Sequence, residues 1–570
     1  MIQHRGPISG IAAWRDAYVA TAGYDNQVIC WDQRTGTAIA RSFHDHLANQ
    51  CSFSPDGRHL VTSSSDYTAR LWTVPDLRLV AVLADQEDDV EMSVFHPSKE
   101  LIATASRDHR VRVYDFTGKL VARFTGHTAD VISVEWARDS DELISSSDDG
   151  TIKRWSLETG GLIADLDMDG IETDTIAISS GGTIFAGNDE GQIIVVGPTE
   201  RTVLPAHEAG IKRLVLDDAR NLLVSLSYDR TMQLWDVASG VPERRDTTAL
   251  PDDVWPRSCA FAGGSRLVFA TFGAGYRGYD YEGRAWDAAE VPPTQGVNAV
   301  LPTASGTLTI GDAGIVHRGD TGVVHHEGEV VARTGSLCNF LTPLGGLVLS
   351  GGQLGKVFDA LTGRELHQHR SPLNCGAAFE RDGASYAVVG AYTGEGLLLR
   401  LTGAGEAEHV EDLPLHTNAV KGVAVSGDLI FSVAADASAT WYRISDLSKV
   451  ATIEDAHDRI ANGCAGLGEG WFASVSRDLK LRIWDPQQRA QVLDTPHTHS
   501  IKCVAASGDG RVVAAGAYNG RIALYDRTAD EWTAVVRPTT AGISSLTWDA
   551  ERKAFAASSY DGQVYYTPGV

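Results

Sequence analysis

The stretch from His127 to Trp155, HTADVISVEWARDSDELISSSDDGTIKRW, decides the fold. It holds three short runs in which apolar and polar residues alternate, separated by turns rich in Asp, Ser and Gly. Alternation with a period of two between such turns is typical of short antiparallel strands. Within the stretch, Ser145 precedes Asp149 by four residues, and Asp149 precedes Trp155 by six.

The same spacings recur along the chain. Two further units carry complete sets, which are His207, Ser225, Asp229 and Trp235, and His457, Ser474, Asp478 and Trp484. Weaker units fill the gaps at intervals of roughly 41 residues, so the 570 residues divide into fourteen units. A repeat of this length with four short strands predicts an all-β fold of four-stranded antiparallel blades.

The pattern resembles the WD40-repeat β-propeller family over nearly the whole chain. The resemblance implies that the His, Ser, Asp and Trp of a unit form a buried hydrogen-bonded network that holds its strands together. A Ser–His–Asp set is also the pattern of nucleophilic catalysis. Because this set recurs in blade after blade, we interpret it as structural. The stretch 240–410 departs most from the pattern.

Propellers usually have four to eight blades, so fourteen units predict two seven-bladed rings, at residues 1–283 and 284–570. This arrangement resembles tandem WD40 propellers such as the actin-interacting proteins, a likeness of architecture that transfers no partner. The last unit has no fourth strand of its own. We expect residues 284–291 to supply it, and Met1–His4 to pair with the third strand of unit 7, which would close both rings.

Charge and cysteine content narrow the classes of function. The chain has 74 acidic and 49 basic residues, a formal charge of −25, which disfavours nucleic acids and membrane surfaces as partners. It shows no secretory leader and no apolar run of 18 residues, and its seven cysteines form no CxxC pair. These features predict a cytoplasmic protein with reduced cysteines. No phosphate-binding, metal-binding or catalytic motif is present, so we expect no cofactor and no metal.

In the family that the chain resembles, the face that carries the Asp turn binds peptides. The residue directly before each Asp would point to that face, and tyrosine and arginine are enriched at binding hot spots. The candidates at this position are Tyr24, Arg107, Asp148, Tyr228, Arg477, Tyr518 and Tyr560. Asp88 and Asp89, in DQEDDVE at 85–91, predict an acidic rim on the first ring, and Trp255 an exposed aromatic on that rim.

These observations predict a non-catalytic scaffold for protein–protein interaction, whose acidic rim attracts a basic peptide segment. Two alternatives remain open. One is a propeller enzyme with an axial metal or substrate site in the second ring, where the histidine pairs His325/His326 and His367/His369 lie. The other is a reader of a basic peptide tail. The sequence identifies neither the partner nor the oligomeric state.

Overall fold

A computed structural model describes residues 2–137, 141–197, 200–294, 296–319, 328–403 and 405–567. Within these ranges every regular element is a β-strand, which confirms the predicted all-β class. The chain divides into two compact units, Met1–Thr294 and Gln295–Val570. This division falls later in the chain than the predicted boundary between residues 283 and 284.

The first unit consists of seven four-stranded antiparallel sheets, each built from four consecutive strands. In chain order, four to a sheet, the strands are β1 (Ile8–Trp14), β2 (Tyr18–Gly23), β3 (Gln27–Asp32), β4 (Thr37–Phe43); β5 (Ala48–Phe53), β6 (His59–Ser64), β7 (Ala69–Thr73), β8 (Leu79–Leu83); β9 (Val90–Phe95), β10 (Leu101–Ser106), β11 (Arg110–Asp115), β12 (Leu120–Thr125); β13 (Val131–Trp136), β14 (Glu142–Ser147), β15 (Thr151–Ser156), β16 (Leu162–Asp167); β17 (Thr173–Ile178), β18 (Ile184–Asn188), β19 (Gln192–Val196), β20 (Arg201–Pro205); β21 (Ile211–Asp217), β22 (Leu222–Ser227), β23 (Thr231–Asp236), β24 (Glu243–Ala249); β25 (Val254–Phe261), β26 (Arg266–Thr271), β27 (Arg277–Asp280) and β28 (Ala285–Trp286).

The second unit has six sheets of the same kind and a last sheet with three described strands. Its strands are β29 (Val297–Thr303), β30 (Gly306–Gly311), β31 (Ile315–Gly319), β32 (Glu329–Arg333); β33 (Cys338–Leu344), β34 (Leu347–Gly352), β35 (Lys356–Asp359), β36 (Glu365–Gln368); β37 (Leu373–Arg381), β38 (Ala384–Ala391), β39 (Glu395–Leu401), β40 (Ala407–Pro414); β41 (Val420–Ser426), β42 (Leu429–Ala434), β43 (Ala439–Arg443), β44 (Lys449–Ile453); β45 (Ala461–Gly468), β46 (Trp471–Ser476), β47 (Lys480–Trp484), β48 (Ala490–Asp494); β49 (Ile501–Ala506), β50 (Val512–Ala517), β51 (Ile522–Asp526), β52 (Glu531–Val536); β53 (Ile543–Asp549), β54 (Ala554–Ser559) and β55 (Val564–Tyr566).

The core lies between neighbouring sheets. The second and third strands of each sheet are mostly buried, whereas a fourth strand such as β4 exposes every second residue. Alternating exposed and buried residues are typical of a strand that has one face in solvent and the other packed on the protein. Between β9–β12 and β13–β16, for example, Phe124 and Trp155 pack in one apolar cluster, with ring centroids 5.5 Å apart. The first strands contact each other in order, so each unit is a ring of seven blades.

In the part of the chain that the structure describes, neither ring closes by exchanging a strand, and the predicted use of residues 284–291 and of the N-terminal residues is wrong. Ala285 and Trp286 form the fourth strand of their own blade, where they pair with Asp280 and Tyr279 of β27. The hairpin is favoured locally because Asp280 Oδ1 accepts the N–H groups of its turn and Trp286 packs against Tyr279, with centroids 4.8 Å apart. Instead of joining β27, His4 donates its N–H to the carbonyl of Ala274.

Closure depends on packing and on side-chain hydrogen bonds between the first strands. In the first unit β25 contacts β1, and the buried Ser258 Oγ accepts the N–H of Ile11 at 3.1 Å. In the second unit β53 contacts β29, where Ser544 Oγ donates to the carbonyl of Val297. Thr547 Oγ1 donates to Val300 O at 2.9 Å on the same seam.

Candidate functional site

The His–Ser–Asp–Trp sets lie inside the blades. His127 Nδ1 lies 2.8 Å from Asp149 Oδ2, its Nε2 lies 2.8 Å from Ser145 Oγ, and Trp155 Nε1 donates to the same hydroxyl at 2.9 Å. The corresponding distances for His207, Ser225, Asp229 and Trp235 are 2.9, 2.8 and 3.0 Å. Burial raises the pKa of Asp149, but hydrogen bonds from His127 and Thr151 outweigh it and lower that pKa. The serine hydroxyl is enclosed by the indole and is not presented to a substrate.

The third predicted set has a different geometry, because an arginine enters it. His457 Nε2 lies 3.0 Å from Ser474 Oγ, and Trp484 Nε1 donates to that oxygen at 2.8 Å. Asp478 is 3.9 Å from the histidine, and Arg482 Nη1 lies between them, 2.6 Å from Asp478 Oδ2. Burial and then the charge of Arg482 lower the pKa of His457, so the ring is neutral in the fold.

Other histidines occupy the same place in their blades. His416 Nε2 lies 2.9 Å from Ser432 Oγ, and His497 Nε2 lies 3.1 Å from the carbonyl oxygen of Ala515. Sequence reasoning missed His416 and also two histidines with the complete network, His4 and His44. His4 Nε2 lies 2.8 Å from Thr21 Oγ1 and its Nδ1 lies 3.0 Å from Asp25 Oδ1. His44 makes the same contacts with Thr62 and Asp66, at 2.7 and 2.9 Å. The signal was present for His4 and His44, because each precedes its Asp by 21 or 22 residues, as His127 precedes Asp149.

One backbone hydrogen bond recurs in all fourteen blades and locates the candidate site. The residue after the second strand donates its N–H to the carbonyl of the residue directly before the first strand, at 2.8–3.3 Å. We name the donor the collar residue and the acceptor the lead-in residue. The collar residues of the first unit are Tyr24, Ser65, Arg107, Asp148, Asp189, Tyr228 and Phe272, and those of the second are Asp312, Gln353, Tyr392, Ala435, Arg477, Tyr518 and Tyr560.

Every first strand also contains an irregularity next to its lead-in residue. In thirteen blades the pairing skips one residue, which we name the bulge residue, and in β25 the irregularity covers residues 255–258. A bulge aims a side chain away from the regular sheet surface. The lead-in, bulge and collar residues lie at the same end of their antiparallel strands, and we call the full set in one unit its mouth.

Several bulge residues join neighbouring blades. Their side chains donate to the carbonyl of the first residue in the next first strand, as Asn374 Nδ2 does to Val420 O at 3.0 Å. The other residues with this bond are Ser9, Asn49, Asn298, Asn339, Asn462 and Ser544. The mouth is therefore held by hydrogen bonds that run from blade to blade.

The mouth of the first unit contains an aromatic group, but Trp255 is not an exposed member of it as predicted. The Trp255 side chain is only 6% exposed. Its ring meets Tyr24 edge to face at 5.2 Å and stacks on Phe272 at 5.3 Å. Tyr24, which is half-buried, is the member of this group nearest to solvent.

The predicted acidic rim of Asp88 and Asp89 also needs correction. The two residues are 3% and 2% exposed, because Val90 begins a buried first strand and draws the preceding residues inward. Asp89 Oδ2 accepts a hydrogen bond from Ser65 Oγ at 2.9 Å. The acidic charge of the first unit lies within the mouth instead.

Cations partly neutralise this charge. Arg107 donates to Glu91 Oε1 and to Asp130 Oδ2, both at 2.5 Å. Between the fifth and sixth blades Lys212 pairs with both Asp174 and Asp189. The mouth of the first unit, counted at its lead-in, bulge and collar positions and in residues 255–258, has eight carboxylates and three cations. The acids are Asp89, Glu91, Asp130, Asp148, Glu172, Asp174, Asp189 and Asp253, and the cations are Arg107, Lys212 and Arg257.

Asp148 is the least compensated of these acids. Its Oδ1 is buried and accepts no hydrogen bond among the described residues. Burial raises the pKa of Asp148 well above its usual value, and the charges of Asp130, Glu172 and Asp174 raise it further against the opposing effect of Arg107. A positive group brought to this carboxylate would lower its pKa and supply the missing donor.

The mouth of the second unit combines tyrosines with cations. The rings of Tyr518 and Tyr560 stack at 6.3 Å with an interplanar angle of 10°. Tyr392, a collar residue that sequence reasoning missed, has Lys421 Nζ 4.6 Å from its ring centroid. Arg477, a predicted candidate, is a collar residue of the same mouth and is half-buried. A cavity of about 200 Å³ opens among the first strands here, lined by residues of all seven blades.

The residues considered for an enzyme lie elsewhere or outside the described ranges. His367 stacks on His409 at 4.8 Å, on fourth strands away from the cavity. His325 and His326 lie outside the described residues. Among the residues that are described, no group of three or more His, Cys, Asp or Glu side chains could hold a metal ion, and none forms a helix able to cross a membrane.

Comparison with known proteins gives the family. The model of the WD domain, G-beta repeat, matches residues 38–73, 78–115, 118–156, 198–236 and 490–526. Transcription initiation factor TFIID subunit 5 of Caenorhabditis elegans is 28% identical over 36% of this chain and 32% of its own length. A guanine nucleotide-binding protein subunit beta of Oryza sativa subsp. japonica is 26% identical over 34% of this chain and 57% of its own length.

Actin-interacting protein 1 of Drosophila melanogaster is 26% identical over 37% of this chain and 36% of its own length. The chain therefore covers between about a third and a little over half of the length of these three relatives. The five matched repeats lie in both compact units, and their spacing is that of the blades observed here. The matched repeats, the buried hydrogen-bonded network and the four-stranded blades lead to the same conclusion: the chain is a member of the WD40-repeat family of β-propeller proteins.

Proposed function

We propose that this WD40 protein is a non-catalytic cytoplasmic scaffold with two propeller domains, and that the mouth of the first unit binds a basic segment of a protein partner. The names of its relatives describe parts of assemblies, such as a TFIID subunit, a guanine nucleotide-binding protein subunit and an actin-interacting protein. The network residues are buried in the blades, whereas the collar side chains of the mouth differ from blade to blade.

The observation that carries the proposal is the uncompensated Asp148. A buried carboxylate without a hydrogen-bond donor is destabilising, and such groups persist where a ligand completes them. Asp130, Glu172 and Asp174 add negative potential around it, so the group that completes the site is a cation. A guanidinium or ammonium side chain provides both the charge and the donor.

Aromatic rings of the same mouth fit such a ligand. Lys212 Nζ lies 5.2 Å from the ring centroid of Tyr228, and the Arg257 guanidinium lies 5.5 Å from that of Trp255. The mouth thus already holds cations against aromatic faces, an arrangement of about 0.5–2 kcal/mol per contact. Tyr24, half-buried beside Trp255, provides a further ring for an incoming side chain.

The proposal is tested by fluorescence anisotropy with labelled peptides rich in Arg and Lys and with acidic peptides of equal length. We expect the basic peptides to bind the wild type and Asp148→Asn to weaken binding at least tenfold. Glu158→Gln is the matched control, because it removes the same charge from an exposed turn of the same blade. Equal affinity for both peptide classes, or full affinity in Asp148→Asn, would show that this mouth is not a basic-segment site.

A protein partner is tested separately by pull-down from native cell extract. The doubly substituted Tyr24→Ala/Asp148→Asn protein removes an aromatic ring and a carboxylate from two collar positions of the first unit. We expect it to lose a stoichiometric partner that the wild type retains. Retention at full level would place the partner surface outside this mouth.

A further inference from the structure

The two mouths carry opposite charge. At its lead-in, bulge and collar positions the second unit has one carboxylate, Asp312, and three cations, Lys421, Arg477 and Lys502. Asp312 is buried, and its Oδ1 accepts a hydrogen bond from Asn298 Nδ2 at 3.0 Å. A chain with a formal charge of −25 therefore contains a local positive site.

Lys421 and Lys502 face one space. Both line the 200 Å³ cavity, and the charges of both lower the pKa of the Cys375 thiol on a third blade, although burial raises it to about 12 overall. Lys502 is half-buried, and within the described ranges its Nζ forms no hydrogen bond or ion pair. Two ammonium groups around one small cavity repel each other, which costs free energy. An anion bound between them attracts both groups and offsets this repulsion.

Amide groups complete the lining. Asn339, Asn374 and Asn462 each donate from Nδ2 to the next blade, at 2.9, 3.0 and 2.7 Å. An amide nitrogen carries two hydrogens, so each has a second donor available. At about 30 Å³ per water, the cavity has room for six or seven water molecules, which is the size of one polar side chain or of a small metabolite.

We infer that this cavity is a binding site for a small oxyanion, a carboxylate or phosphate group with roughly the dimensions of a glutamate side chain. Lys421 and Lys502 neutralise its charge, the asparagine amides donate to its oxygens, and the collar residue Tyr560 lines the same cavity. The group comes either as a free small molecule or as an acidic side chain of a bound peptide. The inference is independent of the proposed function of the first unit.

The test uses the full chain and three probes, which are glutarate, inorganic phosphate and an acetylated, amidated peptide with a central glutamate. Binding is followed by isothermal titration and by the hydrogen exchange of β37, β45 and β49, the strands that carry Cys375, Cys464 and Cys503 in the cavity lining. Mass spectrometry measures the exchange of each strand. Strands β1, β5 and β25 of the first unit provide the internal reference.

We expect at least one probe to bind and to slow the hydrogen exchange of these three strands, with affinity falling tenfold or more in Lys421→Met and in Lys502→Met. Lys502→Arg should retain binding. Lys449→Met, which removes an exposed lysine of the same unit on β44, should bind as the wild type does. Binding of glutarate or phosphate identifies a free anion, and binding of the peptide alone identifies an acidic side chain. Binding of none, or binding that both Lys→Met variants preserve, overturns the inference.

Discussion

Ser258→Ala tests how a propeller closes when its first and last blades share no strand. The residue is fully buried on β25, and its Oγ accepts the backbone N–H of Ile11 in β1 at 3.1 Å. Gln50 Nε2 on β5 lies 3.1 Å from the same oxygen. One hydroxyl thus joins the last blade of the first unit to the first two.

The substitution leaves two buried donors without an acceptor. Each orphaned donor costs about 1–3 kcal/mol, so opening of the seam should become easier by about 2–6 kcal/mol. Ser93→Ala is the matched control, because Ser93 is equally buried in the same unit but bonds to one hydroxyl, Ser63 Oγ at 3.1 Å. We expect the control to cost about 1 kcal/mol.

Hydrogen exchange read by mass spectrometry locates the effect. A loss of about 2 kcal/mol corresponds to a roughly 30-fold faster exchange in the opening regime. We expect that increase in peptides of β1 and β25, with peptides of the second unit unchanged as the reference. An increase spread evenly over all seven blades, or one no larger than in Ser93→Ala, would refute closure through Ser258.

Two predictions concern pH. Burial lowers the pKa of His416 and of His497 to about 4, and burial with Arg482 lowers that of His457. These folded-state pKa values lie below the unfolded value of about 6.5, so the contribution of the three neutral histidines to stability is fully present above pH 6.5. Below pH 6.5 the free energy of unfolding should fall by up to about 4 kcal/mol per pH unit. The free energy of opening in β41–β52, obtained by dividing the observed exchange rate by the intrinsic rate at each pH, should fall between pH 6.5 and 4.5. An opening free energy that stays constant over that range would contradict the burial of neutral histidines. Asp148 has the opposite shift; its folded pKa is raised, so Asp148→Asn should raise the melting temperature more at pH 8 than at pH 5. An equal gain at both pH values would show that the carboxylate is already compensated.

The sequence was most informative where the chemistry is local to one blade. The spacing from Ser145 to Asp149 and Trp155 follows from one hairpin, so it repeats in every blade that keeps the network. The predicted candidates Tyr24, Arg107, Asp148 and Tyr228 all occupy collar positions for the same reason. Tyr392 was missed because its blade has Thr393 in place of the turn Asp, although its backbone bond is the same.

The errors concern contacts between distant parts of the chain. The local sequence predicts that Trp255 is an exposed loop aromatic. In the fold, Tyr24 from the opposite end of the unit packs against its ring. The local sequence also predicts that Asp88 and Asp89 belong to a solvated run of charges. In the fold both are buried, because Val90, the next residue, begins a buried strand. Closure of the first ring depends on Ser258 and Ile11, which are 247 residues apart, and no local pattern reports such a pair.

The collar explains why one fold carries two mouths of opposite charge. A collar residue contributes to the blade through its backbone N–H, a bond that any residue except proline makes. Its side chain is therefore free to vary, whereas Ser145 or Trp155 is fixed by partners inside the blade. The bulge position follows the same rule where it makes no hydrogen bond to the next first strand, and it holds Glu91, Asp174 and Lys212 in the first unit but Lys421 and Lys502 in the second. Exchanging only these charges, through Lys421→Glu with Lys502→Asp, should leave the blades folded and transfer a preference for cations to the second mouth. A loss of folding in that variant would mean that the mouth is part of the stabilising core and not a surface independent of it.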